Sequence, residues 1–135
     1  MKRLSIAVLF LAGALAAGAY ADDQADFVAW MKTTGGTMGK LRKEVDAKAF
    51  SDVAKDAATL EGVFKHVAEY FAKTNTADAV ESAHAAAAAS KKLADAANAS
   101  NADDAAASLK AIGGTCGGCH MAHREKLPEG GYKIK

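Results

Sequence analysis

The chain has 135 residues, 50% of them apolar and 24% charged, with 17 basic residues against 16 acidic ones and a net charge of +1. That apolar content excludes a disordered chain. The interspersed charges exclude the basic stripe of a nucleic-acid binder. A single proline and few β-branched clusters point to an all-helical fold.

Residues 1–21 read as a cleaved secretory signal. Lys2 and Arg3 form a basic start, Leu4 to Ala19 a small-and-apolar run, and Ala19-Tyr20-Ala21 an A-x-A cleavage site. The run is short for a bilayer span and lacks a basic stop, so the mature protein is expected to have no membrane span. Residues 22–135 are expected to form one domain with a single core. Without Lys2 and Arg3 the charge becomes 15 basic against 16 acidic, a net of −1.

The first mature helix is expected to start at Asp22 or Asp23, either of which suits a helix N-terminus. Phe27, Trp30, Met31, Thr34, Met38, Leu41 and Val45 follow at spacings of three and four, one bundle-facing stripe. Gly35-Gly36 interrupts it, as a kink or loop or as room for a neighbouring helix or a flat ligand. The second helix follows Ser51 as N-cap, with Val53, Ala57, Leu60, Phe64, Val67 and Phe71 on an a/d seam. Thr76 caps a third helix over 77–99. Its alanines hide the buried face, for which Val80, Ala83, Ala87, Leu93 and Ala97 are the best reading. Asn101 caps a fourth helix with Ala105, Leu109, Ile112, Cys116 and His120 near one face. Pro128 closes that helix, and Gly130 to Lys135 read as a frayed tail. Four amphipathic helices with short links predict an antiparallel up-down-up-down four-helix bundle.

The chain's two cysteines both lie in Cys116-Gly117-Gly118-Cys119-His120. This is the attachment pattern of c-type haem. One helical turn separates the thiols so that each can form a thioether to a vinyl group, and the next imidazole supplies an axial nitrogen. A zinc site would lack its second ligand pair, and a thioredoxin-like disulfide would need a strand-containing pattern that is absent. The export signal agrees with the motif, because c-type haem is attached outside the cytoplasm in bacteria. One covalent haem c on the last helix and a periplasmic location are therefore expected.

Met31 and Met38 are seven residues apart, about 10.5 Å along a helix, so both cannot reach one iron. Met121 adjoins His120 on the same helix and is poorly placed to cross the ring. Residue chemistry alone leaves Met31 and Met38 open as a sixth ligand. It also leaves either one as core filler, the commoner role of a helical methionine. His84, near the inferred face of the third helix, keeps bis-histidine ligation as a minority alternative. His66 flanks the second seam on the solvent side, and His123 lies one turn beyond His120.

The segment Ala111 to Lys126, AIGGTCGGCHMAHREK, with Arg124 four residues after His120, resembles the cytochrome c-prime family, or class II cytochromes c. So does the triplet Met38-Gly39-Lys40 in the first helix. In that family the residue seven before the triplet faces the open side of the iron. It is apolar in the high-spin branch and methionine in the low-spin branch. That position here is Met31, so the resemblance implies the low-spin branch with His120 and Met31 as axial ligands. It also implies Arg124 near the axial imidazole or a haem propionate. Two departures stand out: a short link near Lys73 to Asp78, and His123 where the family usually has an aromatic. Related bundles often pair through their first two helices, which leaves a homodimer open.

No catalytic constellation stands out from the charged bundle surface, so a non-enzyme is expected. The leading expectation is a soluble periplasmic electron carrier, with the redox partner proteins unknown. Lys126, Lys133 and Lys135 are candidates for docking an acidic partner, or simply a solvated basic tail. The runner-up function is a gas binder for nitric oxide or carbon monoxide at an open or displaceable distal site. A third reading is a haem-free helical binding module with the cysteines as a disulfide.

Overall fold

The computed structural model describes the backbone over residues 7–135 and side chains from Asp23 onward. Four helices follow in order: α1 over Ala7–Asp46, α2 over Phe50–Lys73, α3 over Ala77–Asn98 and α4 over Ala102–His123. The expected signal segment and cleavage site lie outside the residues whose side chains are described. Among the described residues no helix is long and apolar enough to cross a membrane.

Three-residue links make successive helices antiparallel, and cross-links between elements agree. Lys40 on α1 pairs with Asp56 on α2 at 3.7 Å, Asp23 with Lys73 at 3.0 Å, and Asp78 on α3 with His123 on α4 at 2.7 Å. Each helix packs on its neighbour in sequence, and α1 also meets α4, over a shorter stretch. The result is the expected four-helix bundle.

All three links use one device. Lys48, Asn75 and Ser100 have φ of 55°, 54° and 54°, the left-handed region. Each donates its N–H three residues back, to the carbonyls of Val45, Ala72 and Ala97. The next residues, Ala49, Thr76 and Asn101, donate five back, to Glu44, Phe71 and Ala96. This is the Schellman closure, built here without glycine. The Asn101 side chain then accepts from the Asp104 N–H at 3.1 Å, so α4 has the expected cap.

Two cap expectations change. Helix α2 starts at Phe50 with Ala49 at the cap position and no side-chain cap, so Ser51 lies inside the helix. Thr76 precedes α3, but its hydroxyl pairs with that of Thr74 at 2.8 Å instead of capping. Helix α1 runs through Asp22 and Asp23 without a start there. It also runs unbroken through Gly35-Gly36, which excludes a loop. No atom of another helix lies within 4 Å of where either glycine's Cβ would stand, which excludes close helix approach as their reason.

The α2 seam is buried in full at all six expected positions. On α3, Ala83, Ala87, Leu93 and Ala97 are buried as expected and Val80 half so. Ala79, Ala86 and Ser90 join them, with the Ser90 hydroxyl donating to the Ala86 carbonyl at 2.8 Å. The core falls into two clusters. One gathers Met38, Leu41, Leu60, Leu93, Ala105 and Ile112, drawing on every helix. The other, toward the opposite end, centres on Val67, Tyr70, Phe71, Ala79 and Ala83 of α2 and α3. There α1 and α4 contribute only half-buried residues, among them Phe27, Trp30, Met31 and Cys119.

The tail is ordered, against expectation. Helix α4 ends at His123, and Arg124 turns extended at φ −119°, ψ 129°. Strands β1 (Arg124–Lys126) and β2 (Tyr132–Ile134) pair antiparallel, with Glu125 opposite Lys133. Gly130 and Gly131, at φ 96° and 82°, make the turn, a conformation glycine adopts without steric cost. Pro128 therefore sits in the hairpin turn and does not end the helix.

Candidate functional site

The half-packed end of the bundle opens into a cleft of about 620 Å³ with a largely apolar lining. That size and polarity suit a bound organic group. From α4 come Cys116, Cys119, His120 and His123; their spacing of three and four residues sets them on one face. The burial pattern agrees: Cys116, Cys119 and His120 are half-buried, while Gly117 and Gly118 are exposed. Opposite them α1 supplies Phe27, Met31 and Gly35. Phe64, Val67 and Phe71 of α2 and Ala83 and Ala86 of α3 complete the apolar wall.

The structure separates the methionines. Met31 lines the cleft; Met38 is 6% exposed inside the other core cluster; Met121 is 78% exposed on the outside of α4. The histidines separate as well. His66 is exposed, stacks on Trp30 with ring centroids 5.4 Å apart, and lies 3.5 Å from Glu69. His84 is exposed and not part of the cleft lining. His123 is held on the cleft wall by Asp78 and packs on the Phe71 ring at 5.6 Å. That hydrogen bond keeps the Asp78 carboxyl below its ordinary range.

Both thiols are free, and Cys116 Sγ donates to the Ile112 carbonyl at 3.5 Å. Burial, then the charges of Asp78 and Cys116, push the Cys119 thiol up. Burial, then the Arg124 guanidinium, pushes the His120 imidazole down, which favours the neutral ring whose lone pair can bind a metal. Arg124 itself stands 4.0 Å from the centroid of the Tyr132 ring, a cation–π contact at the cleft rim. The charged side chains among the lining are Lys32, Arg124 and Lys133, with no carboxylate. A group with an apolar body and anionic edges would match that distribution. A haem meets both terms, and the donor set of two thiols, an imidazole and a thioether fits its attachment and ligation.

The sequence reading missed three contributors. Tyr132, Lys133 and Ile134 form a wall of the cleft. Their alternation of apolar and polar residues after Gly130-Gly131 was the readable signal. The Asp78–His123 pair and the place of Lys32 at the cleft rim had no signal, because each depends on how separate helices meet. In comparison with known proteins, the chain matches no family model and no curated protein.

Proposed function

We propose that the protein is a periplasmic monohaem c-type cytochrome, a soluble electron carrier of the low-spin class II kind. The single observation that carries this reading is that Cys116, Cys119, His120 and Met31 line one apolar cleft. In it the haem iron supplies one-electron redox chemistry. Cys116 and Cys119 would hold the macrocycle by thioether bonds, and His120 and Met31 would be the residues that ligate its iron. Phe27, Phe64, Val67 and Phe71 keep water from the ring faces. Lys32, Arg124 and Lys133 at the rim offset the propionate charges. With an imidazole from α4 and a thioether from α1 both available, the iron would keep the same two protein donors in either oxidation state, which would suit electron transfer. No enzymatic role is proposed.

The test is haem-stained denaturing electrophoresis followed by absorption spectra with and without carbon monoxide. Colour should migrate with the polypeptide, and wild type should be low-spin when ferric and take up carbon monoxide slowly. Met31→Ala should turn high-spin and bind it fast; Met38→Ala should keep the wild-type spectrum and lose about 2–5 kcal/mol of stability. A high-spin wild type that binds carbon monoxide readily replaces the carrier with a gas-binding protein. Acid-acetone removal of all the colour would show that no haem is attached by thioethers.

A further inference from the structure

Gly35 is a costly residue where it stands. It lies inside α1, and a glycine in a helix interior is less favourable than alanine. Nothing in the backbone calls for it, since among the described glycines only Gly130 and Gly131 have positive φ. Nor does packing, because no side chain and no other helix comes within 4 Å of where its Cβ would stand. What sets Gly35 apart is its place in the cleft lining, which Gly36 does not share. Gly36 carries the same cost, and nothing in the structure explains it.

That place adjoins the Met31 thioether. Phe27, Met31 and Gly35 follow at intervals of four, one row of α1 along the cleft. In a helix the Cα–Cβ bond tilts toward the N-terminus, so a side chain covers the turn before its own Cα. A side chain at position 35 would therefore lie back over the turn that carries Met31. The row instead presents a ring, a thioether and then bare backbone. Helix α3 stands diagonally across the bundle from α1, each of them packing on α2 and α4. It lines the cleft only with Ser82, Ala83 and Ala86, so the wall that faces Gly35 is low as well.

We propose that Gly35 sets the shape the cleft accepts: its missing side chain leaves a slot between α1 and α3 that admits a flat, rigid ring system, and a large side chain there would close it. The proposal deepens the haem reading and rests on it for the identity of the ring; the slot itself is a property of the two helices.

Haem per chain in the purified full-length protein, measured as the pyridine haemochrome, tests this. Gly35→Phe should carry several-fold less haem than wild type, and the smaller Gly35→Leu an intermediate amount. Gly36→Phe puts the same ring one position round the helix, outside the lining, and should keep the wild-type amount. Gly35→Ala should also keep it, since the added Cβ meets nothing within 4 Å. Equal haem in Gly35→Phe and Gly36→Phe overturns the slot. So does a loss of helical circular dichroism in Gly35→Phe alone, because the residue would then be needed for folding and not for the ring. A wild type without haem removes the cytochrome but not the slot, which is then read with pyrene sulfonate, a flat apolar dye with an anionic edge. Its Kd should be several-fold higher for Gly35→Phe than for Gly36→Phe; equal values, or no uptake by wild type, overturn the slot.

Discussion

Glu44 faces α2 at the far end of the bundle from the cleft, and its Oε2 is buried without a hydrogen-bond partner. Burial first, then Asp56 and Asp52, hold its carboxyl above the usual range, with Lys40 pulling the other way. A folded-state pKa above the unfolded one means that ionisation opposes folding. Below the ordinary glutamate range, about pH 4, both states are protonated and the cost is absent. As pH rises the unfolded chain ionises first, and the cost is complete above the folded-state value. Glu44→Gln should therefore be more stable than wild type at pH 7, by roughly a few tenths of a kcal/mol because solvent screens a group so near the surface. Denaturant titrations of both proteins should show that gap closing toward pH 4. A gap that is constant with pH would mean that charge is not the cause. Asp78 works in the opposite sense, losing its stabilising contact with His123 as pH falls through its lowered range, but it does so equally in both proteins.

At the scale of elements, the links carry a removable cost. A side chain in the left-handed region costs roughly 1–2 kcal/mol, less for asparagine, and glycine escapes it while adding some unfolded-state entropy. Ser100→Gly and Lys48→Gly should each raise the unfolding free energy by about 0.5–1 kcal/mol, and Asn75→Gly by less. Thermal unfolding followed by circular dichroism would check the order; a loss in all three would show that the closures tolerate their residues without strain. The same links show where the sequence is readable. Helix count, the α2 seam and the Asn101 cap follow from periodicity and one polar side chain, so they can be read directly. The α2 start cannot, because Ser51 has the right chemistry two residues too far in, while the backbone closure at Lys48 already fixes the helix entry. The α3 face was half-legible, since alanine is equally at home buried and exposed and carries no periodic contrast. The hairpin was overlooked because Pro128 and the two glycines signal irregular chain as well as a turn. The Cys116–His120 spacing could be read at all because such a pattern lies in consecutive residues, whereas the company those side chains keep in the cleft depends on how separate helices pack.

For the whole molecule, the uneven core sets what the cofactor would do for stability. Anything bound only by the native state stabilises it, and the cleft end has the least packing of its own. His120→Ala should keep helical circular dichroism and lower the melting temperature by several degrees in the haem-loaded protein. An unchanged melting temperature would place His120 outside any bound group's stabilising contacts. The other cluster joins residues from all four helices, from Met38 to Ile112, and none of it depends on the cleft apart from the shared wall at Phe64 and Ala86. Such a cluster can condense as one cooperative unit, a foldon, while the opposite end still breathes. The bundle then resembles a clothes peg more than a box. Its closed end can align the helices by itself, and its jaws would meet any incoming group with the Cys116–His120 face already across the cleft from Met31.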